Sequence, residues 1–125
     1  MINYQVGDFL TRIKNAALVK NREVLTVLTK HNLVVAQVLK KAGYLDEVVK
    51  KGNLLLVKLK FNHKKPVIID IKLVSKPGRR IYATVREIRK KKGPSIYLLN
   101  TPKGVLASPQ AIKEGVGGEV IAEVW

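Results

Sequence analysis

Between residues 3 and 18 the apolar side chains of Val6, Phe9, Leu10, Ile13, Ala16 and Ala17 recur at helical spacing and make one stripe. A helix with one such stripe has to be covered by another layer, which commits the chain to a packed fold. Asn3 is suited to cap it. On its far side Asp8, Arg12 and Asn15 fall near one another, as a solvated face would. Residues 24–28 read as a short strand. Thr29 then caps a second helix, in which Val35, Val38, Leu39 and Ala42 keep the stripe and Gly43 supplies the stop. Lys40 and Lys41 suit the negative end of that helix. Lys30, in its first turn, opposes the helix dipole. Two readings of Lys30 stand side by side: a cation converging with free amides on an external phosphate, or an indifferent surface lysine.

Beyond Gly43 the chain is built mostly of strands. Segments 44–50 and 53–61 are joined by the hairpin signal Lys51, Gly52, Asn53. After the break NHKKP, residues 67–75 alternate, with Val67, Ile69, Ile71 and Leu73 on one face. Lys76, Pro77 and Gly78 form a turn and mark a lobe boundary, giving lobes 1–75 and 76–125. The second lobe opens with a strand over 81–85 and the basic segment REIRKKKG, whose form the sequence leaves open. Strands around 96–99 and 105–107 flank a polar knuckle of Asn100, Thr101, Pro102, Lys103 and Gly104. Ser108, as N-cap before Pro109, starts a short helix that Gly115 ends. Gly117 and Gly118 turn the chain into a closing strand over 119–124.

The 125 residues are 46% hydrophobic, enough for a core in one domain or two small lobes. The chain has no cysteine, which removes disulfides, zinc thiolates and thiol nucleophiles and suits a reducing compartment. No apolar run reaches membrane-spanning length, and the stretch MINYQVGDFLTRIKN lacks the order of a signal peptide. His31 and His63 have no partner at ligand spacing. No phosphate-cradling Gly-Lys-Ser/Thr loop is present, and the glycines at 115, 117 and 118 precede a strand, the wrong context for a dinucleotide. The nine acids suggest no metal cluster. The expectation is a protein that is not an enzyme and needs no cofactor.

The net charge of +15 points to a polyanionic partner, with nucleic acid ahead of membrane. Between Lys72 and Lys92 there are nine Lys and Arg against one acid, Glu87. Lys76, Arg79 and Arg80 flank the tight turn, where Arg forks match phosphate geometry. Tyr82 could stack on a base or ribose, although a lone tyrosine on a strand more often packs in the core. Aromatic residues are too few for a single-strand stacking platform, so recognition of folded RNA by shape and backbone fits better. The knuckle is stiffened by Pro102 and carries a hydroxyl, an amide and an ammonium. It is either a hairpin connector or a tip that a shallow RNA minor groove can accept.

The segment NTPKGVLASPQAIKEGVGGEVIAEVW resembles the C-terminal signature of the bacterial-type eighth small-subunit ribosomal protein family. DFLTRIKNA is similar to its first helix, KHNLVVAQVLKKAGYL to its second, and LVSKPGRRIY to its central turn, in the same order. The resemblance implies an α+β fold of two small lobes: an α/β N-terminal lobe with two helices on a short sheet, and a mainly β C-terminal lobe with one short helix. It implies a cytoplasmic structural constituent of the small ribosomal subunit that binds ribosomal RNA as a primary binder, gripping a central-domain helix during platform assembly. The fifth and twelfth small-subunit proteins are its implied neighbours. By matched position the RNA contacts are Asn100, Thr101, Pro102, Lys103 and Gly104, supported by Gly117, Gly118 and Glu119. Lys76, Arg79, Arg80 and Tyr82 join them from the turn, and Arg12, Lys14, Asn15 and Lys30 from the first lobe.

Asn100 and Pro102 replace serines usual in the family, and Ser95 replaces a common glycine. Glu119 is repelled by phosphate, so it either meets a base or ribose donor, orients a neighbouring cation, or serves the strand start alone. A nucleoid-type DNA binder is disfavoured by the lack of a recognition helix or minor-groove wedge. An RNA-modifying enzyme is disfavoured by the lack of a nucleophile or cofactor loop.

Overall fold

The computed structural model describes residues 4–125, so Asn3 and its capping role lie outside the described residues. Contacts divide these residues into two units, 4–70 and 71–125.

The first unit holds α1 (Tyr4–Leu18), β1 (Glu23–Val27), α2 (Lys30–Lys41), β2 (Leu45–Lys51), β3 (Leu54–Leu59) and the two-residue strands β4 (Phe61–Asn62) and β5 (Lys65–Pro66). β1, β3 and β2 form an antiparallel sheet in that order, and β4 pairs with β5. The stripe of α1 is inside: Phe9, Leu10 and Ile13 are fully buried. Each such side chain contributes about 1.5–3 kcal/mol on leaving water. Thr29 caps α2 as its sequence suggests, its Oγ1 accepting from the Asn32 backbone N–H at 3.0 Å. The buried Asn32 side chain donates in turn to the Val27 carbonyl at 3.0 Å, tying α2 to β1.

The second unit holds β6 (Ile71–Leu73), β7 (Tyr82–Ala83), α3 (Val85–Lys90), β8 (Ile96–Thr101), β9 (Gly104–Ala107), α4 (Ser108–Glu114) and β10 (Gly118–Val124). All five strands pair antiparallel, in the order β6-β10-β8-β9, with β7 also on β10. Ile88 of α3 and Ala111 of α4 bury against Leu99 and Val120, so both helices cover one face of the sheet.

Several boundaries differ from those expected. The lobe boundary falls after Asp70 rather than Ser75, because Ile71 and Leu73 pair with Val124 and Ala122 in the second unit. The strand expected over 67–75 is therefore broken: Ile68 is buried and Ile69 is 72% exposed, against the simple alternation. The strand expected over 81–85 stops at Ala83, since Thr84 is the N-cap of α3. That helix is a second one in the second unit, formed from the basic segment. Thr84 Oγ1 accepts from the Glu87 N–H, and the Glu87 carboxylate accepts from the Thr84 N–H at 2.9 Å, a reciprocal capping box. The Thr84 backbone N–H, and after it the Thr84 side chain, hold the Glu87 carboxyl below the usual carboxylate range. Ser108 is not a cap: it is buried and its Oγ accepts from the Tyr97 N–H at 3.1 Å.

Candidate nucleic-acid interface

The knuckle is the loop of the β8–β9 hairpin. Thr101 pairs with Gly104, leaving Pro102 and Lys103 at the tip. Gly104 has φ +102°, a region a side chain rarely enters. Pro102 does not supply the stiffness alone. Thr101 Oγ1 donates to the Gly104 carbonyl at 2.7 Å and accepts from the Lys103 N–H at 3.1 Å. Thr101 is only 7% exposed, so its hydroxyl shapes the loop from within, against the expectation of an exposed tip residue. Pro102, Lys103 and Gly104 are the exposed part, and Asn100 is half-buried beside them. Lys103 Nζ reaches Glu114 Oε1 at 3.3 Å, steadying the tip against the end of α4.

Register places the rest of the site. Glu119 on β10 lies opposite Tyr82 on β7 and Asn100 on β8, so the three share one sheet face. The adjacent Val120 and Leu99 face the helices. Tyr82 is 68% exposed, so the core reading of this tyrosine is wrong. A short strand ending in the cap of α3 leaves its ring without cover. Glu119 is 4% exposed, and its carboxylate accepts from Arg80 Nη1 at 3.1 Å. A buried carboxylate needs such a partner, and the pairing fixes the direction of Arg80.

Gly117 and Gly118 do not turn the chain through positive φ. Their role is close approach: a Cβ on Gly117 would lie 2.3 Å from the Ala83 carbonyl oxygen, and one on Gly118 would lie 2.2 Å from that of Asn100. The glycines let β10 sit tightly between β7 and β8. A shallow pocket of about 390 Å³ opens there, lined by Tyr82, Thr84, Glu87 and both glycines.

The turn at Lys76 is a small hairpin closed by two backbone bonds, Lys76 N–H to the Arg79 carbonyl at 3.0 Å and Arg79 N–H to the Lys76 carbonyl at 2.8 Å. Pro77 and Gly78 fill its corners, with Gly78 at φ +80°. Its base is held by Ser75, whose buried Oγ accepts from the Ile81 N–H at 2.9 Å and donates to the Ile81 carbonyl at 3.2 Å. Sequence reading missed Ser75, because its partner is defined only once the turn exists. Lys76 and Arg79 are left exposed, with no carboxylate partner among the described residues.

The remaining sequence candidates belong to the first unit. Arg12 is paired with Asp8 at 2.8 Å, and Lys14 with Asp70 at 3.5 Å. Arg12 and Asn15 line a shallow pocket of about 390 Å³ with Val19, Asn21 and Glu23. Lys30 is exposed at the start of α2. Among the described residues no group of acids and histidines could hold a metal, and no helix is long and apolar enough to cross a membrane. What the second unit offers chemically is a stiff polar tip, an exposed phenol, an oriented guanidinium and free cations. Groups of these kinds are able to bind phosphate, ribose and base edges.

Residues 5–125 match the family model described as Ribosomal protein S8. Similar proteins named small ribosomal subunit protein uS8 include that of Nitratidesulfovibrio vulgaris strain Miyazaki F, 40% identical with all of both chains covered. That of Wolbachia pipientis wMel is 42% identical over 96% of this chain and 95% of its own. That of Mycoplasmopsis pulmonis is 38% identical over all of this chain and 98% of its own.

Proposed function

The chain belongs to the ribosomal protein S8 family, and on that premise we propose that it is a primary binder of small-subunit ribosomal RNA. It is a structural constituent of the small ribosomal subunit and not an enzyme. In the proposed role it grips a central-domain RNA helix and helps assemble the platform, beside the fifth and twelfth small-subunit proteins. The observation that carries this reading is the shared face of Tyr82, Glu119 and Asn100 next to the stiffened knuckle.

Each proposed contact follows from its chemistry. Asn100 offers an amide donor and acceptor to base edges and 2′-hydroxyls. The hydroxyl of Thr101 keeps one acceptor direction for RNA while it shapes the loop. Pro102 and Gly104 present a smooth tip to a shallow groove. Tyr82 stacks on a base or ribose. Glu119 acts through Arg80, because its buried, paired carboxylate turns that guanidinium to the surface without itself meeting phosphate. Gly117 and Gly118 hold the strands at the spacing this row needs. Lys76, Arg79 and Lys103 contact phosphates. From the first unit Arg12, Lys14, Asn15 and Lys30 add contacts, with Lys30 and the amides of α2 around one phosphate.

The test is binding of the intact protein to a small-subunit ribosomal RNA transcript and to duplex DNA of equal length, over a range of salt. Tight RNA binding that survives salt better than DNA binding is expected. Equal, wholly salt-driven binding to both would overturn the reading.

A further inference from the structure

We propose that the exposed side of α3 is a second RNA-phosphate surface, separate from the knuckle and directed at a different RNA segment. The inference rests on the RNA-binding reading above and adds a site to it.

Arg86, Arg89, Lys90 and Lys92 are all exposed, and none forms an ion pair with a carboxylate among the described residues, although Lys90 attracts the Glu87 carboxylate on its own helix. The acids within reach are engaged elsewhere. Glu87 is held by its capping box, Glu114 by Lys103 and Gln110, and Glu123 by Ser95 and Lys91. Elsewhere in the chain Arg12, Lys14, Lys58 and Arg80 each face a carboxylate. The four cations therefore outweigh the one carboxylate on their helix, Glu87, which offsets only Lys90. Arg86 lies one turn from both Arg89 and Lys90, which brings their Cβ atoms within about 5–6 Å and makes them repel in the free protein. An external anion removes that repulsion.

The cations sit on an anchored frame. Thr84 and Glu87 fix the start of the helix, and Ile88 is 2% exposed in the core. Lys91, unlike its neighbours, turns inward: its Nζ donates to the Ser95 carbonyl at 2.9 Å and lies 5.2 Å from the Tyr97 ring centre. Ser95 Oγ donates to Glu123 at 2.5 Å, which closes a clasp beyond the helix. A basic tail would have no such fixed geometry.

The start of α3 borders the Tyr82 pocket through Glu87, but the body of the helix covers the sheet face that carries Leu99 and Val120, whereas Asn100, Glu119 and Tyr82 occupy the opposite face. One RNA groove cannot meet both without wrapping the edge of the sheet. The occupant is RNA backbone and not a protein. The apolar Ile88 is turned inward, so the exposed side lacks the apolar centre of a protein interface. It also has no aromatic ring for single-strand stacking.

The experiment compares the intact protein with the combined Arg86→Gln, Arg89→Gln, Lys90→Gln, Lys92→Gln variant. Two RNAs are used: the full small-subunit ribosomal RNA transcript, and the shortest hairpin of it that the protein protects from nuclease. The variant is expected to bind the hairpin as the parent does. On the full transcript its salt slope should fall by about 0.7–0.9 per lost contact, roughly 3 for the set. An Arg86→Lys, Arg89→Lys variant should keep the parental slope, and melting of the free variants checks their folding. An unchanged slope on the full transcript overturns the proposal. Equal loss on the hairpin merges α3 with the knuckle site and overturns it too. An unchanged slope with failed incorporation alongside other ribosomal proteins would assign the surface to an acidic protein, again against the proposal. A parent that binds neither RNA removes the underlying RNA reading instead.

Discussion

Gly118→Ala isolates the packing argument at the centre of the site. Gly118 has no positive φ, so no backbone strain is involved. The whole effect is the 2.2 Å approach of the new Cβ to the Asn100 carbonyl oxygen. A carbon and a carbonyl oxygen normally stay about 3.3 Å or more apart. The β8–β10 pair must therefore open by roughly 1 Å, and the obstacle is backbone that cannot rotate away. Overpacking of this kind costs about 1–3 kcal/mol, and a ladder hydrogen bond stretched beside it adds about 0.5–1.5 kcal/mol. A total of about 1.5–4.5 kcal/mol lowers Tm by roughly 6–18 °C for a chain of this size. Because Asn100 and Glu119 flank the opened gap, RNA affinity should fall as well. The assay is thermal melting of the free protein with an RNA titration of the same sample. Gly52→Ala, at φ +60° with open space around it, serves as the strain-only control. A Gly118→Ala protein melting within about 2 °C of the parent would refute the steric reasoning, since this corresponds to less than about 1 kcal/mol.

Thr101→Val removes both hydrogen bonds of a 7% exposed hydroxyl and should cost about 1–3 kcal/mol of stability in chemical denaturation; an unchanged midpoint would restore a purely RNA-facing role for the hydroxyl. Lys30→Ala should leave Tm unchanged or slightly raised, since a cation is lost from the first turn of α2, while the salt slope of RNA binding falls by about 0.7–0.9. The Glu87 carboxyl, held low by the Thr84 bonds, contributes stability that is fully present above its unfolded pKa and is lost as pH falls through its lower folded value. NMR titration of the Thr84 amide should follow that loss, and Glu87→Gln should flatten the acid limb; a Thr84 amide that ignores pH would remove the capping box as an anchor of α3.

Local signals carried well from sequence to structure, and distant ones did not. The stripe of α1, the Thr29 cap and the turn at Gly52 each depend on residues within one or two turns of chain, and each stands where the pattern put it. α3 was legible too: Thr84 followed three residues later by Glu87 is a capping-box pattern, and it lay inside a basic run that drew attention to charge alone. The β6 boundary was not legible, because Ile71 and Leu73 find Val124 and Ala122 from the far end of the described chain. The same distance hid the Arg80–Glu119 pair, which depends on the register of β7, β8 and β10. For Tyr82 the sequence leaves core packing and stacking on RNA side by side, because exposure depends on where its strand ends, and a two-residue strand gives almost no periodicity to read.

The position of β10 has a consequence for the order in which the protein acquires its shape during synthesis. Three strands, β6, β7 and β8, pair directly with residues 118–124. A nascent chain that has emerged only to residue 117 can close the β8–β9 hairpin, but β6 and β7 have nothing to pair with. Tyr82 and Asn100 then have no Glu119 between them. Residues 4–70, whose sheet closes through β1, β3 and β2, need nothing from that segment and can settle first. In the proposed RNA-binding role, the newborn chain therefore carries its cations before the row of Tyr82, Glu119 and Asn100 is complete, and that row is complete only when β10 docks.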